Sequence, residues 1–138
     1  MSVEKNFGEW MGLKEKIHNS NRVPAIKEGE IWWCAMGENV GVEINGKNGV
    51  FSRPILIFKK LSRFSFMGIP LTSKEHSGSW YVKFQFHGKP QTAVLAQARV
   101  ISVSRLYSKI GDIDDLDKAK VGRAFRMLYL SDKQADVE

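Results

Sequence analysis

The chain has 138 residues, a net charge of +6, 43% apolar and 26% charged side chains, so it is long enough for one domain with a core and too apolar for a disordered one. No apolar run reaches the roughly 18–20 residues of a membrane helix, and the first residues, with Glu4, Glu9 and Glu15 among lysines, lack the apolar stretch of a secretory signal; a cytoplasmic location is expected. Cys34 is the only cysteine and the three histidines are scattered, which excludes an internal disulfide and a multi-cysteine zinc site; no metal and no cofactor is expected.

The charge is unevenly spread. Residues 1–30 are neutral, residues 31–110 carry eleven basic side chains against Glu38, Glu43 and Glu75, and residues 111–138 carry five basic against seven acidic ones. The excess of +8 in the middle suits a polyanionic partner, through phosphate neutralisation and steering.

In chain order, Phe7, Trp10, Leu13 and Ile17 recur at helical spacing and predict a helix over 5–19, ended by Asn19-Ser20-Asn21 and Pro24. Residues 19–28 read as a linker, so that 1–28 form an appendage to a main domain over 29–130. The run 31–36 predicts a buried first strand, with Cys34, Trp32 and Trp33 in the core. Four glycines and three asparagines over 37–52 predict a long loop or loose hairpin. Pro54 fits a strand start, followed by 55–59, apolar on both faces and therefore central. Residues 64–71 form a third strand. Residues 80–87 alternate: Trp80, Val82, Phe84 and Phe86 face the core, while Tyr81, Lys83, Gln85 and His87 face water. After a turn over 87–90, residues 92–104 predict one long strand, bent or bulged where Ala96 and Ala98 flank Gln97. Asp114-Asp115 start a closing helix over 114–130, its inner face marked by Leu116, Val121, Phe125 and Leu128, and 131–138 form a frayed tail. The fold class is thus mainly β with flanking helices, a small SH3-like barrel.

The residues narrow the chemistry. No P-loop ending, nucleophile elbow or cysteine–histidine pairing is present. What remains is attack by an RNA 2′-hydroxyl on its own phosphodiester, which needs a base, an acid and stabilisation of the phosphorane charge. Arg53 can clamp two phosphate oxygens, and Thr72 and Ser73 can donate hydroxyl hydrogens. The structural alternatives are a surface ion pair of Arg53, for instance with Glu43, and a turn-forming role for Thr72-Ser73. Phe64, Phe66, Tyr81 and Phe51 are candidates for stacking on unpaired bases.

Several short segments, taken together, resemble the MazF/PemK/Kid toxin ribonucleases of type II toxin–antitoxin pairs. They are Gly29-Glu30-Ile31-Trp32, Gly41-x-Glu43, Arg53-Pro54, Leu71-Thr72-Ser73, and Leu95-x-Gln97-x-Arg99 followed by Arg105-Leu106. The resemblance covers roughly residues 28–130. It implies a barrel fold of the MazF/Kid/CcdB type, a homodimer, single-stranded RNA as substrate, and an antitoxin with an acidic tail as partner. It also implies that Arg53 and Thr72 line the cleavage site with Ser73 beside them, and that Glu43, Lys47, Phe51, Gln97 and Arg99 contribute to RNA binding. Many members have an acid just before the Gln, where this chain has Ala96; His87 or His76 could substitute as base. The loop between Glu43 and Arg53 is also longer than in compact members. The other readings are a non-catalytic RNA- or DNA-binding barrel and a CcdB-like gyrase inhibitor; the polar end 133–138, without Trp, speaks against the last.

Overall fold

The computed structural model describes residues 23–36 and 52–130. The expected helix over 5–19, the loop over 37–51 with Glu43, Lys47 and Phe51, and the tail 131–138 lie outside the described residues. Within them, seven strands and one long helix follow in order: β1 (Glu30–Ala35), β2 (Ser52–Lys60), β3 (Ser65–Thr72), β4 (Tyr81–Phe86), β5 (Lys89–Val94), β6 (Arg99–Ser102), β7 (Leu106–Asp112) and α1 (Asp115–Tyr129). All recorded pairings are antiparallel, in the order β4-β5-β3-β2-β1-β7, with β6 on β3. The MazF-like arrangement of strands and helix is as expected, and among the described residues the barrel-like sheet is left open rather than closed by hydrogen bonds. Its ends instead meet by packing: a Cβ on Gly111 of β7 would lie 2.9 Å from both Phe86 Cζ and His87 Nε2 at the tip of the β4–β5 hairpin.

The central strands are buried on both faces, as the double-sided apolar pattern of β2 requires. One face carries Ile31, Leu56, Ile69 and Leu71 against Val82, Phe84, Ala93 and Val121, so β4, β5 and α1 cover it. The other carries Cys34, Ile55, Ile57 and Phe66 against Ile26, Ile101, Val103 and Leu106. Ile26 makes residues 23–28 part of the core packing rather than a bare linker. Phe66, expected to meet bases, is fully buried because β3 is flanked by β2 and β6. Gly68 lets this face close: a Cβ there would stand 2.8 Å from Phe66 and 2.9 Å from Ile101.

The Gly29-Glu30 pair is a structural latch. Gly29 has φ +97°, a conformation that favours glycine. Its N–H donates to Ile57 and its carbonyl accepts from Ile113, tying β1 to β2 and to the segment before α1. Glu30 is buried, accepts from the Lys27 amide and Trp32 Nε1, and pairs with Lys109. Burial pushes its carboxyl up, but these donors outweigh it and hold the group below its ordinary value.

Two further sequence expectations change, and one strand was not foreseen. The long strand over 92–104 is three pieces: β5, a 3-10 turn over Leu95–Gln97, and β6. β5 pairs with the end of β3, at Leu71 and Thr72, and β6 with its start, Ser65 to Gly68, and the turn between them shifts the register, a larger departure than a bulge. The strand β7 carries no alternating apolar signal, because Tyr107, Ser108 and Lys109 are exposed and two register shifts interrupt its pairing with β1. The helix keeps Val121 buried and packs Phe125 and Leu128, with Phe58 and Phe125 4.7 Å apart, but Leu116 is 80% exposed in its first turn. Tyr129 anchors its end by donating to the Leu95 carbonyl at 2.6 Å.

Candidate active site

The site arises where two strands part. β2 and β3 pair as far as Ile55 opposite Pro70. Beyond that point β2 stays with β1, through Pro54 opposite Trp33 and Arg53 opposite Cys34, while β3 passes to β5, through Leu71 opposite Ala93 and Thr72 opposite Thr92. Two prolines, Pro54 and Pro70, stand at the split, where neither can donate to a ladder. Extending the register two residues puts Arg53 across from Thr72 on the two diverging ends. A cavity of about 360 Å³ opens there.

Arg53, Thr72 and Ser73, named from the sequence as catalytic candidates, all line this cavity. Its apolar wall comes from Ile31, Trp33, Leu71 and Ile110; Phe86, His87, Lys89 and Gln91 border it from the β4–β5 hairpin. Ser73 and Gln91 also border an adjoining polar hollow of about 600 Å³, whose charged residues are Lys83 and Lys120 against Glu75 and Asp117. Arg53 is 5% exposed, and its Nε has no hydrogen-bond partner among the described residues. Burial holds its guanidinium below the usual arginine value. Thr72 is equally buried, and its Oγ1 accepts the Lys74 amide at 3.1 Å, which fixes the hydroxyl while leaving its hydrogen to donate. Among the described residues lining the cavity, none is a carboxylate, and the charged ones are Arg53 and Lys89. The cavity is therefore an anion-accepting hollow with an apolar wall. Among the described residues no three histidine, cysteine or acidic side chains gather as a metal site would require.

The remaining sequence candidates fall elsewhere. Gln97 ends the 3-10 turn and Arg99 begins β6; neither lines the cavity. Arg99 acts electrostatically on Arg105 and Cys34, on the side of the second core face. Arg105 donates to the Ala35 carbonyl. Cys34 is fully buried, and burial pushes its thiol up to about 12, so it is inert. Ala96 is exposed on the 3-10 turn, off the cavity. Phe64 is exposed with Arg63 over its ring at 5.5 Å, and Tyr81 stacks on His76. Sequence reasoning assigned Trp33 to the core, yet it is 36% exposed at the cavity. It missed Lys89 and Gln91. The signal for His87 was present in its place on the wet face of the alternating strand.

An antiparallel sheet closed by one helix, with a buried arginine and a threonine at the parting of two strands, places the chain in the MazF-like class of folds. The sequence model of the PemK-like, MazF-like toxins of type II toxin–antitoxin systems matches residues 27–129. The chain belongs to this toxin family. Among solved structures, it is similar to an endoribonuclease in complex with its cognate antitoxin from a mycobacterial species, with 14% identity, TM-score 0.57, and 75% of this chain and 93% of that one covered. It is also similar to the Mycobacterium tuberculosis toxin MazF-mt6, with 18% identity, TM-score 0.51, and 59% and 90% covered. No protein of curated function matches. No helix among the described residues is long and apolar enough to cross a membrane.

Proposed function

We propose that this toxin is a metal-independent endoribonuclease acting on single-stranded RNA. The observation that carries the reading is Arg53: a buried guanidinium with an unmatched Nε, beside Thr72 and Ser73 in a cavity with no carboxylate among its described lining. Burying such a donor unmatched is unfavourable unless a ligand completes it. A phosphodiester does so. Its 2′-oxygen attacks phosphorus, the 5′-oxygen leaves, and the products are a 2′,3′-cyclic phosphate and a 5′-hydroxyl. Arg53 stabilises the phosphorane and gives a proton to the leaving oxygen; Thr72 holds the phosphate, with Ser73 assisting. Glu43, Lys47, Phe51, Gln97 and Arg99 contribute to RNA binding outside the reacting centre.

The partner is an acidic, partly disordered antitoxin tail, which the basic middle of the chain is suited to receive. The working form is a cytoplasmic homodimer built from residues 29–130. Expression in a bacterial host should arrest growth, and co-expression of the acidic neighbouring reading frame should relieve it; unimpeded growth with intact RNA contradicts the reading. Ala96, in place of an acid, favours one second reading, a barrel that binds nucleic acid without cutting it; retarded but intact RNA would select it.

A further inference from the structure

We propose that His87 is the general base of this cleavage, the group that takes the proton from the attacking 2′-hydroxyl. The inference rests on the ribonuclease reading above and supplies the base that the chemistry requires.

Three observations converge on it. First, the cavity with Arg53, Thr72 and Ser73 holds His87, and no Asp, Glu or Cys among its described lining. The Arg53 guanidinium and the Lys89 ammonium both enter the reaction protonated and have no free lone pair to take up a proton, so the imidazole is the side chain there suited to accept one. Ala96, which stands where related chains carry an acid, is exposed away from the cavity.

Second, His87 is held in place. Its φ is +51° and that of Gly88 is +74°, two consecutive positive values that mark a tight type I′ hairpin turn between Phe86 and Lys89. The ring stacks on Phe86 at 4.1 Å and 20°, and Nε2 lies against the bare Cα of Gly111, where a Cβ would approach to 2.9 Å. Two elements thus fix the imidazole, and among the described residues neither ring nitrogen has a hydrogen-bond partner. Third, Asn is the favoured residue at the first position of an Xaa-Gly turn of this kind. The turn alone does not call for an imidazole.

The charged groups facing the same cavity are Arg53 from β2 and Lys89 from β5. From β7, Ile110 and Gly111 bring no charge, and Asp112 is paired with Lys109 at 3.2 Å. The step balances. The 2′-O–H proton passes to the His87 ring nitrogen as the 2′-oxygen forms its bond to phosphorus. The P–O5′ bond breaks, and the departing oxygen takes its proton from Arg53. His87 then returns its proton to solvent as Arg53 regains one; no oxidant, metal or water is consumed.

The test uses the full chain and an RNA oligonucleotide, with His87→Asn and His76→Gln as variants. Asn keeps the turn chemistry while removing the imidazole, and His76 lies outside the cavity, stacked on Tyr81. Wild type and His76→Gln should cleave alike, their rate falling as pH is lowered below neutral. His87→Asn should melt at or above the wild-type temperature, still bind RNA, lose about 10²–10⁴-fold in rate, and show no dependence on pH in that range. Equal cleavage and an unchanged pH profile in a folded His87→Asn would overturn the base assignment and leave the ribonuclease reading intact. Absence of cleavage by wild type at every pH would overturn both.

Discussion

Arg53→Met separates the two meanings of a buried arginine. If Arg53 were one half of a structural ion pair, removing it would strand the other half and cost about 3–5 kcal/mol. In the structure its Nε has no partner among the described residues, and no described carboxylate pairs with it. An unmatched buried donor costs about 1–3 kcal/mol. Methionine keeps an apolar stem of similar length at this buried position and carries no donor. The variant should therefore gain about 1–3 kcal/mol in urea unfolding at unchanged m-value. The same variant should lose affinity for RNA, the trade-off expected of a residue held for function rather than for folding. A loss of stability in Arg53→Met would refute the reasoning and favour an ion pair, with Glu43 the first acid to examine.

Other consequences concern the frame around the site. Gly68→Ala places a methyl within 3.0 Å of Phe66, Ile101 and Ile55 and should destabilise by about 1–3 kcal/mol in urea unfolding; a neutral outcome would mean that this core face is looser than described. Glu30→Ala leaves the Lys27 amide and Trp32 Nε1 without their acceptor, a loss of about 1–3 kcal/mol at pH 7. The folded Glu30 carboxyl lies below its ordinary value of 4.5. Its contribution is thus full above about pH 4.5 and is lost as pH falls through the lower folded value. The gap between wild type and Glu30→Ala should narrow on acidification below that point, and a gap that widens would contradict the sign.

Much of the fold was legible because burial writes a period into the chain. The strands β1 to β4 and α1 stand within a residue or a few of their expected bounds, since each has an apolar face or two that only one secondary structure satisfies. The strand β7 was not legible: its middle is exposed and bulged, so its pairing with β1 leaves no mark in hydropathy. The break of 92–104 into β5, a 3-10 turn and β6 is a tertiary event, set by which neighbour each half pairs with. The site was legible in its reacting groups, because Arg53-Pro54 and Leu71-Thr72-Ser73 bracket strand ends. Its rim was not. Lys89 and His87 reach it only because Gly111 lets the hairpin tip settle on β7, a contact between residues more than twenty positions apart. Trp33 and Phe66 exchange their expected roles for the same reason: within an apolar run, which residue meets the cavity is decided by register.

The central claim is that Arg53 serves RNA cleavage without a metal. The most direct test is to incubate the purified chain, with EDTA present, with a long single-stranded RNA, beside the Arg53→Met variant, and to map the fragment ends. Fragments with 5′-hydroxyl and 2′,3′-cyclic phosphate ends from the wild type, and none from the folded variant, are the predicted result. Cleavage by the variant at the wild-type rate, or intact RNA from both, would contradict it.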